Sequence, residues 1–203
     1  MSTSALLEPS ATPALAVQPT IPTRHRWSVS EFQRMGETGF FDPESRLELI
    51  EGELFEMAPI GTFHASIVDI LNRQFGRALE DSALVRIQNP IVLGDHTEPQ
   101  PDLTLLRVRS YFEEHPHAED VLLLVEVSDS TVQYDREIKL PLYARHAIPE
   151  VWLVIVPQRC IEVYRIPQPE YGDYQTRLHA REGVLAPVLL PRVEIRLDEL
   201  FIY

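Results

Sequence analysis

Residues 120–140 read "DVLLLVEVSDSTVQYDREIKL". Five apolar residues, Val121 to Val125, run directly into Glu126 and Val127. A run that is apolar at consecutive positions is covered on both faces, so it predicts a central strand of a sheet. A carboxylate in such a strand is costly unless it meets a cation or binds a metal. Lys139 follows thirteen positions after Glu126, inside "DREIKLPLYARH", which reads as a helix with Pro141 expected to kink it or delay its start. That gap is the length of a turn plus about two helical turns, enough for the chain to leave the sheet and bring the lysine back over it.

Working outward, "EVWLVIV" and "CIEVYRI" are two strands joined by "PQR", expected to pair antiparallel. Upstream, "QPDLTLLRV" is a strand with Pro101 tolerable at its first position, and "ALVRIQNPIVL" gives one or two more. "HASIVDILNRQFGRALE" is the clearest helix: Ile67, Leu71, Phe75 and Leu79 recur every four residues, with Val68 beside them. "RLELIEGELFEM" alternates as a hairpin turning at Glu51-Gly52. "SVSEFQRMGETG" is a short helix with Ser28 as cap, Glu31 completing a capping box and Gly36 as its end. The closing "VEIRLDELF" is a strand followed by a short helix or turn. Strands and helices mix without a strict βαβ rhythm, which predicts an α+β (α/β-like) fold with one mixed sheet.

Residues 1–24, rich in Ser, Thr, Ala and Pro, read as a disordered tail, and residues 25–203 as one domain. No segment reaches the ~18–20 apolar residues of a membrane span, and the N-terminus lacks the basic start and apolar core of a secretory signal. Cys160 is the only cysteine, so no intrachain disulfide forms. A cytoplasmic protein with no membrane association is the expectation. The net charge of −13 excludes a basic, nonspecific nucleic-acid coat. It leaves room for a metal-dependent phosphate enzyme, because a bound cation changes the local charge.

Three acidic residues fall on predicted strands: Glu48, Asp102 and Glu126. Carboxylates on neighbouring strands can converge, and oxygen ligands suit Mg²⁺ or Mn²⁺. Such an ion binds a phosphodiester and activates water, and a nearby lysine can hold that water or offset charge on the phosphate.

The segments "LELIEGEL", "GTFHASIV", "QPDLTLL", "LLLVEVSDSTVQYDREIKLPLYARHAIPEVWLV", "IEVYR" and "LDELF" together resemble the Uma-type restriction endonuclease family, a bacterial group within the PD-(D/E)XK nuclease superfamily. The resemblance runs from Trp27 to Ile202, and rests on the order and spacing of the pieces rather than on any one motif. It implies the restriction-endonuclease-like core and a divalent-metal site holding Mg²⁺, with Mn²⁺ as substitute. It also implies a nucleic-acid substrate, DNA being the expected form. Asp102 matches the Asp of the "PD" element, Glu126 the acidic residue of (D/E)XK, Glu48 the upstream acidic position, and Lys139 the lysine, carried here on the following helix. The nominal E-x-K reads E-V-S, because Ser128 stands two after Glu126. Pro141 and Ala147, where the family favours glycine, are smaller departures. Asp135 is expected to orient Lys139, and Tyr143 to pack.

Each residue also has a plainer reading. Asp102 can be a strand-end carboxylate, and Glu126 half of a buried ion pair. Lys139 can pair with Asp135 four residues earlier, an ordinary helical contact worth about 0.2–0.5 kcal/mol. Glu48 competes with Glu51 and Glu53, but shares a strand face with Ile50 and is the one of the three expected to point inward. His64, at the helix start, is either a satisfied histidine or a phosphate contact or proton-transfer partner. Cys160 reads as inert core, and His115 and His117 as solvated loop residues. Two functional readings follow: a metal-dependent endonuclease cutting phosphodiester bonds, and a catalytically inactive nuclease-fold binding or scaffold protein. A homodimer is a further expectation, since restriction-type enzymes often cut two strands with two subunits.

Overall fold

A computed structural model describes residues 22–202, so the expected tail lies largely outside the described residues. The apolar run that leads into Glu126 lies in strand β5 (Val121–Ser128), buried at all eight positions. It lies inside a six-stranded sheet with β3 (Leu84–Ile87), β4 (Leu103–Leu106), β6 (Glu150–Ile155), β7 (Cys160–Gln168) and β8 (Asp173–Ala180), ordered β3-β4-β5-β6-β7-β8. Only β5 and β6 pair in parallel; the other neighbours are antiparallel. A parallel pair needs a crossover, and the chain between Ser128 and Glu150 supplies a helical one.

That crossover starts as α3 (Val132–Tyr134), widens into a π turn over Asp135–Lys139, and continues as α4 (Leu140–Arg145). The Leu140 amide donates five residues back to the Asp135 carbonyl. Pro141 has no amide hydrogen, and its ring would collide with a carbonyl of a regular preceding turn. The kink expected from Pro141 is therefore a widened turn directly ahead of it.

Both sheet faces are covered, which is why β5 is buried throughout and apolar from Val121 to Val125. On one face α2 (Thr62–Ala78) packs Ile67, Leu71 and Phe75 against Leu123, Val125 and Trp152, joined by Ile195 and Leu197 from the C-terminal segment. On the other, Leu140, Tyr143 and Ala144 pack on Leu124, Leu153 and Tyr164. Leu124 and Glu126 share this second face by strand alternation, so Glu126 points toward the crossover helix.

β1 (Leu47–Ile50) and β2 (Glu53–Glu56) form the expected hairpin, with Ile50 opposite Glu53. Glu51 and Gly52 both take positive φ, +50° and +84°, the signature of a two-residue turn whose twist matches the strands. A side chain at Gly52 would meet Arg26 at 2.8 Å, so close approach as well as conformation calls for glycine. The helix α1 (Val29–Glu37) has the Ser28–Glu31 capping box but runs past Gly36. It closes instead on Gly39 at φ +71°, where the Phe40 amide reaches the Met35 carbonyl and the Gly39 amide reaches that of Gly36. Short strands β9 (Val184–Leu185) and β10 (Ile195–Arg196) complete the fold. Among the described residues no helix is long and apolar enough to cross a membrane.

Candidate active site

Three segments distant in sequence meet at one end of the sheet. Glu48 comes from β1, Asp102 stands one residue ahead of β4, and Glu126 lies near the end of β5. Asp102 was expected on the strand itself; standing just before it frees the side chain to fold over the strand end. All three are buried, at 2%, 6% and 3% exposure, and Lys139 joins them at 3%.

The lysine is the centre of the arrangement. Lys139 Nζ donates to Glu48 Oε1 at 3.0 Å and to Glu126 Oε1 at 3.1 Å. The Tyr143 hydroxyl, one turn further on, donates to the same Glu126 oxygen. Burial alone would drive Lys139 to give up its proton, but the charges of Glu126 and Glu48 outweigh it and hold its pKa well above the ordinary value. Burial pushes Glu126 up, with the lysine's charge opposing it and the Asp102 charge adding to it.

Asp102 is held by a different set of donors. Its Oδ2 accepts the Val127 amide at 2.8 Å, and Oδ1 faces His64 Nε2 at 2.8 Å and the Gln88 side chain at 3.3 Å. Burial acts to raise its pKa, but the hydrogen bond and charge of His64 and the Val127 amide together lower it below the usual carboxylate value. The Asp102 amide in turn points at Glu126 Oε2, at 3.4 Å. His64 thus sits in the first turn of α2 with its ring turned onto the site. Glu48 Oε1 also accepts the Gln100 amide at 3.0 Å.

Asp135 does not pair with Lys139. It turns to Thr131, whose hydroxyl donates to Oδ2 at 2.8 Å, and it acts on the lysine only through its charge. Gln88, Gln100 and the Tyr143 hydroxyl are the parts of the site that sequence reading did not single out; the "QPD" triplet, with a glutamine two positions before Asp102, is the one local signal. Elsewhere, Glu51 is exposed and pairs with Arg145, Cys160 is buried, and His115 and His117 are half-buried beside a cleft rather than free in solvent.

The site opens into a cavity of about 150 Å³. Five carboxylates line it, those of Glu48, Asp102, Glu126, Asp129 and Asp135, against the cations Arg46 and Lys139. Among the described residues no three acidic or histidine groups form a ready-made metal cage. The donor set nevertheless fits a hard divalent cation. Glu48 Oε2 is buried with no hydrogen-bond partner among the described residues, and the lining carries excess negative charge. A buried, unpaired carboxylate oxygen is a costly feature that a bound cation would satisfy.

Comparison with known proteins bears on the family and the fold. The family Uma2, described as "Putative restriction endonuclease", matches residues 29–198. The crystal structure of a protein from Anabaena variabilis, described as a putative nuclease belonging to DUF820, superposes with a TM-score of 0.67. It covers 86% of this chain and 97% of that one at 17% identity, a likeness that establishes the fold. No match is found among curated proteins. With 170 positions matched, most of the chain, the protein belongs to the Uma2 family, described as putative restriction endonucleases.

Proposed function

We propose that the chain is a metal-dependent endonuclease that hydrolyses phosphodiester bonds of nucleic acid, with DNA as the expected substrate. The observation that carries this reading is the convergence of Glu48, Asp102, Glu126 and Lys139 on one buried point beside a cavity. Asp102 and Glu126, with Glu48, would hold Mg²⁺, Mn²⁺ being an acceptable substitute. When bound, such an ion polarises the phosphate and lowers the pKa of an attacking water.

The chain's own residues supply the rest. Lys139, kept cationic by its carboxylate neighbours, orients water and offsets charge building up on the phosphate. Val127 and His64 fix the Asp102 carboxylate from both sides, and Tyr143 fixes Glu126. Two copies acting on opposite strands would suit a homodimer, and the absence of a long apolar helix among the described residues is compatible with a cytoplasmic location.

The test is incubation of the purified chain with supercoiled plasmid and Mg²⁺ or Mn²⁺. Nicking or linearisation that stops with EDTA, and is lost in Asp102→Ala and Lys139→Ala, supports the reading. Cleavage unchanged in those variants would place the activity elsewhere. One observation favours the second reading, an inactive nuclease-fold binding or scaffold protein: the Lys139 ammonium already bridges Glu48 and Glu126 where a metal would compete with it. Binding of nucleic acid without cleavage under any divalent ion would select that reading.

A further inference from the structure

The chain is acidic as a whole, yet cations gather toward the β7–β8 edge of the sheet. β7 and β8 pair with Tyr164 opposite Arg177 and Glu162 opposite His179. Directly opposed residues project from the same sheet face, and alternation carries that face on to Arg181, just past the end of β8. Glu126, Leu153, Glu162 and His179 form one row across β5, β6, β7 and β8, so this is also the face that bears the carboxylate site. Arg136 reaches it from the π turn, one helical turn before Lys139.

Glu162 is buried completely and gathers these cations. Arg136 binds it through Nε at 3.1 Å and Nη2 at 2.7 Å, Arg177 through Nη2 at 2.6 Å, and the Tyr164 hydroxyl at 2.6 Å. His179 Nε2 stands 3.5 Å away. One carboxylate cannot neutralise two guanidiniums, and Arg181 adds a third exposed one nearby. The side chains of Arg136, Arg177 and His179 stay 32%, 48% and 53% exposed, so the surplus positive charge faces solvent.

Strand register ties this cluster to the site. Ser128 pairs with Ile155, Ile155 with Cys160, and Ile161 with Ala180. Asp129 to Thr131, at the mouth of the cavity, follow Ser128, and Arg181 follows Ala180. Both therefore lie at the same end of the sheet, about 14 Å apart at three strand spacings.

We propose that Arg136, Arg177, His179 and Arg181 form a backbone-binding surface for nucleic acid, holding phosphates beside the carboxylate site. Arginine presents a planar fork that matches phosphate oxygens, and a cationic cluster in a chain of net charge −13 is complementary to a polyanion. The identity of the polyanion rests on the nuclease reading. The surface supplies attraction that the acid-lined cavity cannot, and its contacts carry no sequence information.

The test is fluorescence anisotropy of a labelled DNA duplex with the full chain in EDTA, so that hydrolysis does not run. Arg181→Gln and Arg181→Glu leave Arg136 and Arg177 on Glu162, and circular dichroism and melting should match wild type. Arg181→Gln should weaken binding about threefold to tenfold at low salt and flatten the slope of log affinity against log salt by about one; Arg181→Glu should weaken it further. An Arg181→Glu protein that binds with wild-type affinity and slope overturns the proposal, as does wild type that binds no duplex. Failure of the two readings is distinguishable. Binding lost in Arg181→Glu while wild type cleaves under no divalent ion would retain the surface and reject the nuclease. Cleavage by wild type with unaltered binding by Arg181→Glu would do the reverse.

Discussion

Lys139 Nζ lies between two carboxylates, 3.0 Å from Glu48 Oε1 and 3.1 Å from Glu126 Oε1, with only 4% of its side chain exposed. Each charge taken alone would be prohibitively costly at that depth; the pairing makes the burial tolerable. Removing the ammonium leaves two buried carboxylates facing each other. Lys139→Met should therefore destabilise the fold by about 3–5 kcal/mol near neutral pH. The loss should shrink as pH is lowered and the carboxylates take up protons. Urea denaturation at several pH values checks both the size and the trend.

Tyr143 was expected only to pack, but its hydroxyl donates to Glu126. Tyr143→Phe keeps the ring in the core and removes that donor. It should cost about 1–3 kcal/mol, the range for a buried acceptor losing a partner, read as a lower urea midpoint with an unchanged m-value.

Much of this architecture is legible in the sequence because burial leaves a period. Ile67, Leu71 and Phe75 mark α2, and the unbroken apolar run marks β5 as central. β8 escaped reading because most of its residues are exposed or half-exposed and it carries no alternation of hydrophobicity. The carboxylates could be named one by one, yet the partner of Lys139 could not. Asp135 at four residues' distance is the local choice, and only the packing of the crossover helix over β5 selects Glu126 and Glu48 instead. Net charge hid the cationic cluster for a similar reason: composition averages over the whole surface, while Arg136 and Arg177 meet at Glu162 only once the crossover packs on β7 and β8.

Ala147 follows α4 with φ at +55°, in the left-handed region that disfavours a Cβ. Glycine, with no Cβ, adopts this conformation without that cost. Ala147→Gly should raise stability by about 0.5–1 kcal/mol, the relieved strain exceeding the added freedom of the unfolded chain. Thermal melting should show a small upward shift without loss of helix signal.

Glu98 is 5% exposed, and burial raises its pKa to about 7, with the Gln33 hydrogen bond opposing the rise. A raised pKa means that the folded state holds the proton more tightly than the unfolded one. The associated stability is full below about 4.5 and is lost as pH rises through about 7. Glu98→Gln should thus be nearly neutral at pH 4 and stabilising by about 1–2 kcal/mol at pH 8, since the neutral amide can still accept from Gln33. Parallel urea titrations of wild type and variant at the two pH values decide it.

Asp102, Glu126 and Glu48 are proposed to form a divalent-metal site beside Lys139. Anomalous diffraction from crystals soaked in Mn²⁺ tests it most directly. A peak should appear at about 2.0–2.3 Å from oxygens of Asp102 and Glu126, with Lys139 Nζ drawn away from at least one of its two carboxylates. Strong Mn²⁺ peaks elsewhere, with none at this point and Lys139 still bridging Glu48 and Glu126, would contradict it.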